Sequence, residues 1–392
     1  MKDSVTLTAQ CLCKAHTFTT EVARSSLPLK ATCCHCNSCR HVTGALYSVS
    51  APWPGDRDKV EKSSLKRYTF SKAITLLFCG TCSSPMFFQT RPENADESDG
   101  YLVFTGALMN VEVPNLVEFG HHMYVGDTLD GGASPWLRNP NQSGVPARRW
   151  VGRTEKSQEI HGDWPPIASL PAATLKSEVE EIPIRCRCKG VDLVLRLPGR
   201  DLQGKPRSEL PWFIDPTTHK NLANFDVCDS CRLQSGVDIF HWTFSLLRHI
   251  AFSPASGSQQ RNFPGTNLEL REAVSMREGR DPRFGTLTLY SSSLDVQRYF
   301  CSRCSACVFY SVNDRPDMLD IALGLLEAPS GARAEEVVSW AFGGSVGWRE
   351  DVVGGWREGH IGAVESTAEA WRMERNYPKH WRRVEKEEAE RV

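Results

Sequence analysis

The chain has 392 residues, with 46 Lys plus Arg against 47 Asp plus Glu and a formal net charge of -1. At 40% hydrophobic and 24% charged residues it is too apolar and too balanced for a disordered chain and too neutral to hold nucleic acid through bulk charge, and no apolar run nears the ~18–20 residues of a membrane span. Fifteen cysteines are too many for ordinary core use and too few for a disulfide-dense scaffold of this length.

The N-terminus, MKDSVTLTAQ, shows no apolar run after Lys2, so a secretory signal is not expected. The expected compartment is the cytoplasm, with the nucleus left open. Thiols stay reduced there, and an odd cysteine count forbids full internal pairing. Clustered cysteines then read as metal ligands or catalytic groups.

In chain order the cysteines form two similar sets. The first is Cys11, Cys13, Cys33, Cys34, Cys36, Cys39, Cys79 and Cys82; the second is Cys186, Cys188, Cys228, Cys231, Cys301, Cys304 and Cys307. Each opens with C-x-C, continues with C-x-x-C-R and closes with F-C-x-x-C-S. Gly44 and Gly236 lie five residues after Cys39 and Cys231, and Tyr68 and Tyr290 lie eleven before Cys79 and Cys301. So many shared positions indicate a tandem duplication into two domains. The predicted organisation is a zinc domain over 1–152, a linker over 153–181 marked by Trp164, Pro165, Pro166 and Pro171, a degenerate zinc domain over 182–350, and a helical tail over 351–392.

Short alternating or β-branched runs predict strands at Ala73–Phe78, Tyr101–Thr105, Val191–Leu197, Asp238–Leu246, Thr286–Tyr290 and Val308–Val312. The second copy is longer by inserts including Pro198–Pro216 and Phe252–Arg283, whose Gly, Pro, Ser and charge predict surface loops. In the tail, Ser366 and Glu369 fit a capping box, Val364, Ala368 and Trp371 share a helix face, and Pro378 should end or kink that helix.

Cys11, Cys13, Cys79 and Cys82 can close a tetrahedral zinc site that ties the first strand to a later hairpin, and Cys186, Cys188, Cys301 and Cys304 repeat it. Metal of this kind supplies folding energy of order ten kcal/mol in small modules. Reduced core cysteines are the bland alternative. Cys34, Cys36 and Cys39 offer three thiolates within six residues, which leaves a fourth zinc position for an exogenous ligand. A closing ligand such as Cys33, His35 or a distant side chain would make that site purely structural. Cys33, next to Cys34 in an extended segment, should face the other way. In the second copy Asp226 and Val227 stand where Cys34 and His35 stand, and this site, with Cys228 and Cys231, is expected to have lost metal or activity. Cys307 has no counterpart and is expected to be a buried thiol.

The order C-x-C, then Cys34-His35-Cys36-Asn37-Ser38-Cys39-Arg40 with Gly44, then Leu65 and Tyr68 before Phe78-Cys79, resembles the glutathione-dependent formaldehyde-activating enzyme and centromere-protein-V domain family. The resemblance covers Val5 to about Leu137 and, more loosely, Ile182 to about Trp348. It implies a mainly β, Mss4-like fold in two tandem copies. It also implies structural zinc on the C-x-C plus C-x-x-C cysteines of each copy and catalytic zinc on Cys34, Cys36 and Cys39. The implied activity is carbon–sulfur lyase chemistry on a small thiol or thiol–aldehyde adduct such as S-hydroxymethylglutathione, with no nucleic-acid or membrane partner. Arg40, with His121 or His122 followed by Tyr124 and Trp136, supplies donors for a developing alkoxide. The sequence departs from the family pattern at Gln10, Ser83 and Ser305, where glycine is usual, and the second copy has Ser339-Trp340 with Phe342 and Trp348 and no late histidine. A non-catalytic zinc module for protein binding is the competing reading. Methionine sulfoxide reduction and zinc-ribbon nucleic-acid binding are disfavoured, the first for want of a mobile redox cysteine and the second by the charge balance. Oligomeric state is not readable.

Overall fold

A computed structural model describes residues 3–91, 100–161, 164–170, 179–202, 204–254, 262–344 and 346–391. In chain order the first half holds β1 (Ser4–Gln10), β2 (Thr17–Ala23), β3 (Leu29–Cys34), α1 (Asn37–Thr43), β4 (Ser48–Pro52), α2 (Arg57–Glu61), β5 (Lys66–Thr69), β6 (Ile74–Phe78), β7 (Pro85–Thr90), β8 (Gly100–Phe104), β9 (Val117–Met123), β10 (Arg148–Trp150) and β11 (Glu159–Ile160). The second holds β12 (Glu181–Arg185), β13 (Asp192–Arg196), α3 (Gly199–Leu202), β14 (Asn221–Asp226), α4 (Asp229–Ser235), β15 (Phe240–Leu246), β16 (Ile250–Phe252), α5 (Asn267–Ser275), β17 (Leu287–Ser291), β18 (Val296–Cys301), β19 (Cys307–Val312), β20 (Met318–Ala322) and β21 (Val338–Trp340), followed by α6 (Trp356–Glu374) and α7 (Trp381–Ala389).

The chain is mainly β, in two sheet-rich halves with a short helical tail. Alternation drives the strands: along β1, Val5, Leu7 and Ala9 turn inward and the residues between them face outward or sit half-buried. The large sheet of the first half has the order β11-β10-β9-β3-β4-β8-β7-β6-β5, and that of the second β21-β14-β15-β20-β19-β18-β17. From β9 to β5 and from β21 to β17 the two orders correspond strand for strand. Even the bulges agree, between Leu77 and Phe78 and between Tyr299 and Phe300. The duplicated cysteine pattern is thus matched by duplicated topology.

All six predicted strands form. Other expectations change. The stretch 153–181 contributes β11 to the first sheet, while Pro171 lies outside the described residues. The insert Phe252–Arg283, described except at 255–261, is no plain loop: Thr266 and Glu269 make a capping box for α5, which buries Leu270 and Val274. The insert Pro198–Pro216 likewise anchors Leu210 and Phe213 in the core. Ser366 does not cap a helix. Helix α6 begins at Trp356, ten residues earlier, and Ser366 Oγ donates back to the Gly362 carbonyl. Val364 and Trp371 are buried and Ala368 packs beside them, and Pro378 falls in the break before α7. Among the described residues, no helix is long and apolar enough to cross a membrane.

The two halves interlock about a pseudo-twofold arrangement. The Gly106 N–H donates to the Gly236 carbonyl (3.0 Å) and the Gly324 N–H to the Gly44 carbonyl (2.9 Å). One contiguous hydrophobic core runs through both halves. At its centre Trp136 packs against Phe225, Trp340, Phe342 and Trp371.

Candidate metal centres and the cleft beside them

Each C-x-C and C-x-x-C pair sits on a tight turn, so two sulfurs from each converge. The Cys11–Cys13 and Cys13–Cys79 sulfurs lie 3.6 and 3.5 Å apart, and the Cys186–Cys188 and Cys188–Cys301 sulfurs also 3.6 and 3.5 Å apart. Tetrahedral zinc with bonds near 2.3 Å sets its sulfurs about 3.8 Å apart, so both quartets fit zinc. All fifteen cysteines are free thiols. Backbone N–H groups of His16 and Val191 point at the Cys11 and Cys186 sulfurs (3.3 Å each) and spread their charge. Ser83 (φ 64°) and Ser305 (φ 67°) occupy left-handed turns after the C-x-x-C pairs. That conformation is why glycine is usual there, and serine bears it at a cost of about 1 kcal/mol.

The Cys34, Cys36 and Cys39 sulfurs lie within 4.8 Å of one another. Cys34 ends β3, Cys36 is the N-cap of α1, and Cys39 lies in its first turn. The Cys36 thiol accepts the Cys39 N–H (3.3 Å), and Gly44, at φ 81°, closes the helix by donating to the Arg40 carbonyl. The fixed five-residue spacing from Cys39 to Gly44 follows from that left-handed cap. Hydrogen bonds from Cys34 and Cys39 hold the Cys36 thiol down to about 3, while those same contacts push Cys34 well up. The buried spot thus favours one thiolate beside two thiols, and a divalent cation there would let the other two ionise. Neither Cys33 nor His35 belongs to this group. Cys33 is buried in the core, as is Cys307.

The two histidines part ways. His122 is fully buried; its Nε2 bonds the Leu137 carbonyl (2.9 Å) and its Nδ1 bonds His35 Nε2 (2.9 Å). That chain fixes both rings as neutral, and burial pushes His122 down to about 3. It braces the His35 loop and faces away from the cysteines. His121 is paired in register with Thr32, so by alternation it shares the face of Cys34. Its Nδ1 has no hydrogen-bond partner among the described residues. Arg40 lies on α1, 5% exposed, with Nη2 on Asn37 Oδ1 (3.0 Å) and with Nε and Nη1 unpartnered among the described residues. It lines a cleft of about 380 Å³ between the halves, with His41 and Asp127 on one side and Arg187, Lys189 and Glu327 on the other. The cleft depends on the second half and was not legible in the first copy's motifs.

In the second copy, Asp226 is not turned away. Its Oδ1 accepts the Cys228 N–H (2.8 Å), and its carboxylate lies within 4.8 Å of the Cys228 and Cys231 sulfurs. Helix α4 repeats α1: Cys228 caps it, and Gly236 closes it at φ 79°. Asp127 and Asp351, unremarked in the sequence, accept the backbone N–H of Asn37 and Asp229 at the two helix starts. The pairing of Asn221–Ala223 with Val338–Trp340 matches that of Leu29–Ala31 with Val117–Phe119. Ser339-Trp340 therefore corresponds to Glu118-Phe119 rather than to the histidines.

Comparison with known proteins agrees with this geometry over one part of the chain. The model of the family described as glutathione-dependent formaldehyde-activating enzyme matches residues 6–127. No curated protein and no solved structure gave a match. The matched stretch runs from within β1 past the end of β9 and holds the Cys11, Cys13, Cys79 and Cys82 quartet and the Cys34, Cys36 and Cys39 trio. Over residues 6–127 the chain is thus similar to the glutathione-dependent formaldehyde-activating enzyme family.

Proposed function

We propose that this chain is a zinc-dependent carbon–sulfur lyase of the formaldehyde-activating type, with its chemistry at Cys34, Cys36 and Cys39 in the unit 1–152. The observation that carries the reading is a trio of converging sulfurs with no fourth Cys, His, Asp or Glu in the group among the described residues, beside a cleft lined by a buried arginine whose Nε and Nη1 have no partner among those residues. Zinc bound there supplies a Lewis acid and a docking point for a thiolate at neutral pH.

The chain's own residues do the rest. Arg40 Nε and Nη1, with Arg187 and Lys189 across the cleft, would bind the carboxylates of a glutathione adduct and orient it. In the synthetic direction the substrate sulfur attacks the formaldehyde carbon. The C–S bond forms, the carbonyl pair moves to oxygen, and that oxygen takes a proton to give S-hydroxymethylglutathione. In the reverse direction the hydroxyl proton leaves and the C–S bond breaks. His121 Nδ1, on the Cys34 face by strand register, would hold that proton. The cytoplasm, where glutathione is abundant and thiols stay reduced, suits this chemistry.

The test is Cys34→Ser in the full chain. Zinc content is expected to fall by one per chain, with turnover of S-hydroxymethylglutathione lost. If both stay at wild-type values, the assignment is wrong. A zinc-loaded chain without turnover of thiol–aldehyde adducts would favour the binding-module reading instead.

A further inference from the structure

The second copy departs from the first as a set rather than at scattered points. In the first copy one cross-strand row runs from Leu76 through Phe88 to Leu102 and Pro52, with Leu76 and Phe88 buried. The same row of the second sheet reads Arg298, Tyr310, Asp320 and Phe244. Three apolar positions have become polar around a cleft of about 600 Å³, and that cleft is also lined by Asp226, Cys228 and Cys231. A metal site in decay would trade its ligands for apolar packing, since buried polar groups without partners are costly. Here the donors persist and the wall around them has been rebuilt in polar residues.

Arg298 is the informative member. It is 4% exposed, stacks over the Tyr310 ring and reaches Gln234 Oε1 at 3.2 Å and the Cys231 sulfur at 3.9 Å. Two thiolates and a carboxylate around a divalent ion carry a net charge of -1, which a neighbouring guanidinium would cancel inside the fold. At the mouth of the cleft Trp348 is 60% exposed and held at φ 61°. Such a backbone is strained for an aromatic residue and is characteristic of functional sites.

We propose that Asp226, Cys228 and Cys231 form a further zinc centre, with a mixed sulfur–oxygen donor set and a coordination position left for a small exogenous ligand entering from the cleft. This site uses no residue of the Cys34, Cys36 and Cys39 trio and stands or falls apart from it. Replacing a thiolate by a carboxylate makes the site harder and weaker for zinc.

The experiment is a zinc count on the full chain after passage over a chelating resin, read as a difference. Wild type is expected to carry one zinc more than Cys228→Ser/Cys231→Ser, whatever the other centres hold, and equal counts overturn the proposal. Should that variant not fold, Asp226→Cys keeps the donor number. In cobalt-loaded protein, thiolate-to-cobalt absorption is then expected to rise relative to wild type. An unchanged spectrum overturns the proposal.

Discussion

Arg40 and Arg232 hold the same place in two copies of one helix and have opposite surroundings. Arg232 Nη1 donates to the Gly106 and Leu108 carbonyls (2.7 and 2.9 Å) and Nε to Asp229 Oδ1 (2.6 Å), whereas Arg40 Nε and Nη1 have no partner among the described residues. Removing Arg232 takes its donor from the buried Gly106 carbonyl of the other half, while the Leu108 carbonyl keeps Arg357. Arg232→Ala is therefore expected to cost about 3 kcal/mol in urea unfolding. Arg40→Gln is expected to change stability by less than about 1 kcal/mol, because the single hydrogen bond lost to Asn37 is offset by relief of burying a charge with no ion pair among the described residues. The same change should raise KM for S-hydroxymethylglutathione roughly tenfold, the loss of one charge-assisted contact. A KM equal to wild type would remove Arg40 from the binding site. The identical C-R pairs were visible in the sequence, but their division of labour was not, because it depends on which backbone of the other half lies opposite.

At the scale of elements, the cysteine helices show how short-range chemistry becomes long-range structure. A thiol caps each helix and a left-handed glycine ends it. The freed carbonyls of Gly44 and Gly236 then accept the N–H of Gly324 and Gly106 across the interface. A Cβ on Gly324 would stand 2.0 Å from the Ala45 carbonyl oxygen, and one on Gly106 2.4 Å from the Gly236 carbonyl carbon. Backbone cannot yield as a side chain can. Gly106→Ala and Gly324→Ala are each expected to destabilise the fold by about 2–3 kcal/mol, checked by the urea midpoint at unchanged slope. Strands with clear alternation were legible from sequence. Helix α5 and the true start of α6 were not: a Gly-, Pro- and charge-rich insert masks a capping box, and the first residues of α6 are fixed by partners in distant loops of both halves. Trp356 Nε1 bonds the Met109 carbonyl (3.3 Å), and Arg357 bonds Asp238 (2.8 Å).

The whole molecule is two copies of one topology with a common core. Arg357 and Asp238 are both fully buried, and Arg357 also reaches the Thr105 and Leu108 carbonyls, so the tail helix joins the two halves. Trp136 of the first half sits among aromatics of the second. Both halves should therefore unfold in one transition, with tryptophan fluorescence and far-ultraviolet circular dichroism coinciding. Residues 1–152 expressed alone are expected not to unfold cooperatively, and a cooperative transition from that fragment would show that the core is divisible. The sequence by itself determined the repeated cysteine pattern, the mainly β class and the grouping of thirteen cysteines into two quartets, a trio and a pair, because each rests on spacings of a few residues that local turns and helix caps enforce. Tertiary structure alone decided which histidine can face the trio, why one arginine is tied to the other half and its twin is not, and that Asp226 still faces Cys228 and Cys231. The histidine depends on the register of β3 against β9, the arginines on which backbone of the other half lies opposite, and the Asp226 carboxylate on the local turn into α4, none of which residue spacing encodes.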